Sequence, residues 1–416
     1  MLIGATLLAL ILANSPWADR VADFWATELS FDLGFARIDE DLRHLVNDGA
    51  MTLFFFVVGL EIKRELLRGE LAEREKAALP IAAALGGMLL PAAIYVSINA
   101  GGDGVRGWGI PMATDIAFAL GVVALVGPRV PSALKVLLLA LAIVDDLGAI
   151  LVITIFYPDR VVLEPLFLGG AVLGAIAVSR VAGVRSILFY VIPGMLFWLA
   201  VLQSGVHATL AGVVLALLTP AGPIRDREHY HSELRRLAAA LAAADARGDD
   251  AAADAITEEI SELTSSREPP LDELERALHP WTTFIVIPLF ALANAGLQLT
   301  PGLPAYVISS RIGLGVLLGL LVGKPLGVLL LSWIAVRVGL ARLPAEVNWR
   351  HLAAVGVLSG IGFTVSLFVT GLAFASEHDA REATAGIFVA SLAAASIGFI
   401  LLRRLGGERQ ALELER

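Results

Sequence analysis

Leu137 to Ile155, LLLALAIVDDLGAILVITI, is long and apolar enough to cross a membrane, yet two adjacent carboxylates, Asp145 and Asp146, stand at its middle. An aspartate at mid-span costs roughly 2.5 to 3.5 kcal/mol, so the pair demands about 5 to 7 kcal/mol before any partner is found. Ionisable residues at that depth mark functional sites. A fold for this chain must therefore bury the run and still supply its carboxylates with a proton, a cationic side chain or a metal ion.

The remaining sequence is of the same character. Of its 416 residues, 57% are hydrophobic and 17% charged, and the mean hydropathy is +0.77. These values read as a polytopic membrane protein, and apolar runs of helix-spanning length make it all-α. A net charge of −9 leaves no basic surface for phosphates, which excludes nucleic acid as a partner. With no cysteine, disulfides, thiolate nucleophiles and cysteine-held metals are excluded too. The opening MLIGATLLALILANS has no basic n-region and reads as a first helix rather than a signal peptide. Its shortness leaves open whether a further turn precedes Met1.

Apolar windows give about twelve candidate spans, each sized for a ~30 Å hydrocarbon core. They lie near Leu2–Asn14, His44–Glu65, Ala78–Ile98, Gly109–Val126, Ala133–Phe156, Val162–Val178, Ile187–Leu202, Val206–Leu218, Pro280–Leu297, Ile312–Val336, Leu352–Phe374 and Ala383–Leu402. Basic residues collect in alternate loops, at Lys63, Arg64, Arg68, Arg74 and Lys76, then Arg129 and Lys135, Arg180 and Arg185, Arg337, Arg342 and Arg350, and Arg403, Arg404 and Arg409. The positive-inside rule makes these loops, and both termini, cytoplasmic. The layout expected is membrane domain over 1–224, cytoplasmic insertion over 225–270, membrane domain over 271–405 and tail over 406–416.

Two pieces lie outside the apolar runs. Glu28 to Ile38 alternates Leu29, Phe31 and Leu33 on one face, which fits a small extracytoplasmic β-hairpin able to pair with a second subunit, or equally an amphipathic surface loop. Arg225 to Pro270 places Leu234, Leu237 and Leu241, and then Ile256, Ile260 and Leu263, at helical spacing around ARGDD, as a helical hairpin would. His229 and His231 point apart at i and i+2 on a helix and read as solvated histidines rather than metal ligands.

One other span offers an interior cation. Lys324, in LVGKPLGVLL, lies too far from both ends of its run for simple snorkelling to be a good account, although a reach to the interface stays the plain alternative. The fourth span carries Thr114 and Asp115 after a proline in a glycine-bounded stretch, and the eleventh is broken by Gly360 and Gly362. Matched interruptions in the two halves of a chain mark the binding site of an inverted-repeat transporter. Crossing half-helices put positive dipole ends on one side and negative ends on the other. Asp115 suits the first, where it would equally serve as an N-cap, and Lys324 the second. Thr114 adds hard oxygen ligands for a small alkali cation.

The stretches ATDIAFALG (113–121), LAIVDDLGAILVI (141–153), FFFVVGLEIKREL (54–66), SGVHATLAGV (204–213), LHPW (278–281), PLFALANAG (288–296) and SGIGFTVSLF (359–368) resemble the NhaA family of sodium/proton antiporters over nearly the whole chain. The resemblance implies pH-regulated exchange of cytoplasmic Na+ or Li+ for external H+ by a homodimer in a bacterial inner membrane, with no cofactor and no enzymatic activity. It implies that Asp146 and Asp145 bind Na+ and protons, that Lys324 pairs with Asp145, and that Asp115 and Lys324 balance the crossed helices. It further implies pH response at Glu61, Arg64, Glu65, Glu275 and His207, and a dimer contact through 28–38. Without it, Glu61, Arg64 and Glu65 are an ordinary charged helix end, and His207 a packed polar residue. The long insertion and the charges at Asp272 and Glu273 depart from the family's pattern.

Burial favours the uncharged carboxylate, so protons and sodium are expected to compete for one site. Whether Asp145 or Lys324 carries the second proton stays open. An intramembrane aspartyl protease would need its aspartates on separate helices, and a passive channel has no need of a paired lysine. A sodium-coupled organic-anion symporter of related architecture is the runner-up.

Overall fold

The computed structural model describes residues 1–32, 37–158, 161–182, 184, 187–222, 227–265 and 269–414. Among them, seven helices are long and apolar enough to cross a membrane: Leu42–Arg68, Arg74–Asn99, Ser132–Phe156, Leu163–Val181, Pro270–Asn294, Arg311–Arg337 and Glu377–Gly406. Three further pairs pass the same test only as bent spans: Leu2–Ala13 with Ala18–Trp25, Asp103–Met112 with Ile116–Arg129, and Trp349–Ser359 with Phe363–Ala373. Ile187–Gln203 and Thr209–Leu218 are shorter apolar helices. Every expected segment falls on one of these helices or pairs.

Boundaries move where amphipathic turns adjoin apolar ones. The segment expected from Pro280 begins at Pro270, because LDELERALHPW is already helical with Pro270 in its first turn, where a missing N–H is harmless. Pro280 is then interior, and a π-helical stretch, Thr282–Val286, follows it directly. The last helix runs from Glu377 to Leu414 without a break, so residues 406–414 of the stretch set apart as a tail continue the span as helix.

The helix Ser132–Phe156, called here the dyad helix, packs against Arg74–Asn99, Met51–Arg68 and Trp349–Ser359. Lys324 opens the last part of Arg311–Arg337, directly after a π-helical turn, Gly319–Gly323. Gly315, Gly319, Gly323 and Gly327 form a stripe at i, i+4 spacing that faces Arg74–Asn99 and the first broken pair. A Cβ at Gly327 would run into the backbone of Gly86, and one at Gly86 into Gly327. This backbone-to-backbone approach, the membrane form of small-residue packing, lets Lys324 reach the dyad helix.

Strands Glu28–Asp32 and Arg37–Asp41 pair antiparallel, with Glu28 opposite Asp41. Their connection lies outside the described residues. The insertion forms helices Arg227–Asp245 and Asp250–Ser265, and the break falls at ARGDD with Gly248 in the left-handed region (φ +67°). Leu234, Leu237, Ile256 and Ile260 form a small core of their own. The side chains of His229, His231 and Leu263 are outside the described residues.

Candidate ion-binding site

Asp145 and Asp146 are 0% and 2% exposed at the middle of the dyad helix. Adjacent helical side chains diverge by about 100°, so the two meet different surroundings. Asp145 Oδ2 forms an ion pair with Lys324 Nζ and lies 2.6 Å from the Thr114 hydroxyl. Lys324, itself fully buried, also donates to Thr114 Oγ1 at 2.8 Å. Thr114 has one hydroxyl proton for two acceptors, Asp145 Oδ2 and the Ser359 carbonyl at 3.0 Å, so it serves one at a time. Oδ1 of Asp145 and Oδ1 of Asp146 are buried with no hydrogen-bond partner among the described residues. Unsatisfied carboxylate oxygens in a buried position are costly and call for a proton or a cation.

The two breaks meet beside this pair. The first broken segment is extended over residues 113–115 and the second is interrupted at 360–362. The Asp115 N–H donates to the Ile361 carbonyl at 2.6 Å, and Ser366 Oγ donates to the Ile110 carbonyl at 2.7 Å. Asp115 Oδ1 accepts from Phe118 N at 3.0 Å, which caps its own helix. Its Oδ2 accepts from Thr364 N at 2.9 Å and Thr364 Oγ1 at 2.6 Å, which caps the second. One carboxylate thus faces two helix N-termini, where free N–H groups and aligned dipoles favour negative charge. On the opposite side the link is less direct than the sequence implies. Lys324 reaches the C-terminal end of Trp349–Ser359 through the Thr114 hydroxyl, which contacts the Ser359 carbonyl. Gly360 is needed for close approach, since a Cβ there would strike the Leu320 carbonyl in the π-helical turn before Lys324. At Gly362 a Cβ would strike the Ser366 hydroxyl.

The residues assigned to pH response divide into two groups, neither of which hydrogen-bonds to the dyad. Arg64 forms an ion pair with Glu275 and lies 3.9 Å from Glu61. Arg68 clasps Asp272 with two hydrogen bonds of 2.9 and 3.2 Å, so the unusual charge at Asp272 has a partner. Glu65 turns instead to the Glu70 amide at 2.6 Å. Lys63 and Arg180 donate to carbonyls at the end of Thr209–Leu218, where cations suit the helix dipole. His207 stands apart: its Nε2 is 2.5 Å from the Tyr157 carbonyl, which can only accept, so that nitrogen carries the hydrogen.

Sequence reasoning assigned no role to Ser359, Thr364 or Ser366. A signal for Thr364 exists, because it stands two residues past Gly362, where a new helix exposes its N–H groups. Ser359 acts through its carbonyl, which no side-chain pattern reveals.

This arrangement can hold a small cation on carboxylate, hydroxyl and carbonyl oxygens, and can take up or release protons at the same groups. A family profile described as Na+/H+ antiporter 1 matches residues 1–402. The chain is 46% identical over 406 residues to the Na(+)/H(+) antiporter NhaA of Rhodopirellula baltica, covering 97% of this chain and 90% of that one. It is 44% identical over 412 residues to Na(+)/H(+) antiporter NhaA 2 of Syntrophotalea carbinolica, covering 98% and 94%. With Na(+)/H(+) antiporter NhaA 2 of Sorangium cellulosum the figures are 45% over 411 residues, 97% and 87%.

Proposed function

We propose that this chain, which belongs to the Na+/H+ antiporter family, exchanges cytoplasmic Na+ or Li+ for external H+ across a bacterial inner membrane, with Asp145 and Asp146 binding both ions in turn. The observation that carries this reading is the buried Asp145–Lys324 pair beside Asp146, whose Oδ1 has no donor among the described residues. Asp146 is the firmer cation ligand, because Asp145 is already engaged. A cation bound at the dyad displaces the proton of Asp146 and draws Asp145 away from Lys324, and a second proton leaves either from Asp145 or from the lysine left unpaired in the dry interior. With two groups able to titrate per cation, more than one proton moves for each Na+ and the cycle is electrogenic. Thr114 supplies a neutral oxygen beside the dyad, and Asp115 and Lys324 balance the half-helix ends of two crossing broken helices.

In this reading all the expected segments span the membrane with both termini in the cytoplasm, and the protein is a homodimer joined through the strands at 28–38. Glu61, Arg64 and Glu275 gate the cytoplasmic entrance in response to pH, with Glu65 beside them and His207 acting from the opposite end. Inside-out vesicles holding the purified chain test the exchange. Na+ and Li+ are expected to dissipate an imposed pH gradient between about pH 6 and 9, the range in which buried carboxylates compete for protons, and K+ to leave it intact. A gradient unmoved by Na+ at every pH refutes the proposal. Asp146→Asn is expected to abolish exchange and Na+ binding together; transport surviving in that variant would overturn the site assignment.

A further inference from the structure

The dyad helix has a second attachment to the first broken segment, at its far end. Tyr157 caps the helix and is 3% exposed. Its hydroxyl donates to the Arg106 carbonyl at 2.6 Å and accepts the Gly109 N–H at 3.1 Å. Trp108 stacks over its ring, with centroids 6.4 Å apart and planes 26° from parallel, and meets Phe156 edge-on at 5.0 Å. A Cβ at Gly109 would come within 2.9 Å of the same hydroxyl, so the backbone lies directly on the phenol. From below, the Tyr157 carbonyl is held by His207.

The consequence is a clamp at two points. Asp145 and Tyr157 lie about 18 Å apart along one helix at 1.5 Å per residue. The first holds Thr114 and the second holds Arg106 and Gly109, so the stretch between Gly109 and Thr114 is fixed to the dyad helix at both ends. That stretch ends in residues 113–115, which belong to no helix and are placed by contacts from outside, with the Ile361 and Ser359 carbonyls of the second break on one side and the dyad helix on the other. Nothing in the exchange chemistry uses Tyr157, and a phenylalanine would fill the same space. Burial pushes the phenol up to about 12, which keeps the hydroxyl a donor at every pH where the protein works.

We propose that Tyr157 is a positioning residue for ion binding: its hydroxyl anchors the outer half of the first broken segment and thereby sets where the Thr114 hydroxyl falls against Asp145. The inference rests on the exchange reading above. It assigns Tyr157 no contact with the ion.

Tyr157→Phe tests this, because it keeps the ring and removes both hydrogen bonds. Na+- and Li+-driven exchange is expected to show KM raised about 3- to 10-fold, since only part of the net worth of the two lost hydrogen bonds reaches the ion site, with the maximum rate within about twofold of the parent. Combined with Thr114→Ala, the two KM effects should fall short of multiplying, since both variants remove the same placement. Amide exchange at Gly109 should also quicken. Unchanged KM for both ions, with Gly109 exchange quickened, makes the hydroxyl a purely structural group and overturns the inference. Fully multiplicative KM effects overturn it as well. Gly109→Ala, which displaces the same hydroxyl from the other side, gives the same comparison should the first variant accumulate poorly. Parent vesicles without Na+-driven proton movement would refute the exchange reading itself, whereas parent exchange with unaltered variants refutes only the role of Tyr157.

Discussion

Lys324 concentrates the energetics of the site in one side chain. It is fully buried, its ion-pair partner is the fully buried Asp145, and Thr114 is their shared neutral neighbour. Removing one member of such a pair leaves an uncompensated charge in a dry interior, which costs about 3 to 5 kcal/mol, whereas removing both costs much less. Lys324→Gln is therefore expected to lower the melting temperature of the detergent-solubilised protein steeply. Adding Asp145→Asn should recover most of that loss, and no recovery would mean that the pair is not the origin of the stability. In vesicles, Lys324→Gln with surviving exchange but lost electrogenicity assigns the second proton to the lysine. Asp145, Asp146 and Lys324 are legible in the sequence because a charge in an apolar run stands out without any partner in view. Asp115 is half legible: its own cap, at Phe118, is three residues away, but its contact with Thr364 lies 249 residues off and exists only once both breaks are brought together.

At the scale of elements, the interruptions are readable and their support is not. Glycine and proline mark the breaks at 113–115 and 360–362, but what sets the depth of Lys324 is a glycine stripe on its own helix that carries no charge and breaks no periodicity. Gly327 is the sharpest point of that stripe, since its backbone meets that of Gly86. A leucine there would force Arg311–Arg337 away from Arg74–Asn99, and overpacking of this kind costs about 1 to 3 kcal/mol even where the surroundings can yield. Here the obstacle is backbone, so relief requires moving a whole helix and with it Lys324. Gly327→Leu should abolish exchange and lower thermal stability. Gly174→Leu, at a position of Leu163–Val181 where an added Cβ has nothing within 4 Å among the described residues, should leave both near the parent values. Equal damage from the two variants would deny the stripe its special role. The early start of Pro270–Asn294 escapes sequence reading for a related reason: its first turns are amphipathic, and a search for apolar runs passes over them.

Across the whole molecule, the insertion between the two membrane parts is an excursion whose ends are already joined. The Leu271 N–H donates to the Pro220 carbonyl at 3.2 Å, so the chain leaves and re-enters the membrane part at nearly one point. Just beyond, Asp272 is clasped by Arg68 and Glu275 by Arg64, which fixes Pro270–Trp281 to Met51–Arg68 without help from the insertion. The hairpin in turn has its own apolar seam of Leu234, Leu237, Ile256 and Ile260, the pattern of a unit that folds on itself. Closing so short a gap asks little of chain entropy, which grows only slowly with loop length. Replacing residues 227–265 with a short Gly-Ser linker is thus expected to preserve Na+-driven proton exchange within about twofold and to leave the melting temperature close to that of the parent, because the buried pair and both breaks lie in the part retained. The same protein assayed across pH separates two roles for the hairpin. An unchanged pH profile makes it a passive appendage, whereas a displaced profile with an intact maximum rate makes it part of the pH-responsive entrance proposed around the Arg64–Glu275 ion pair. Loss of exchange altogether would contradict the independence that the Pro220–Leu271 contact implies.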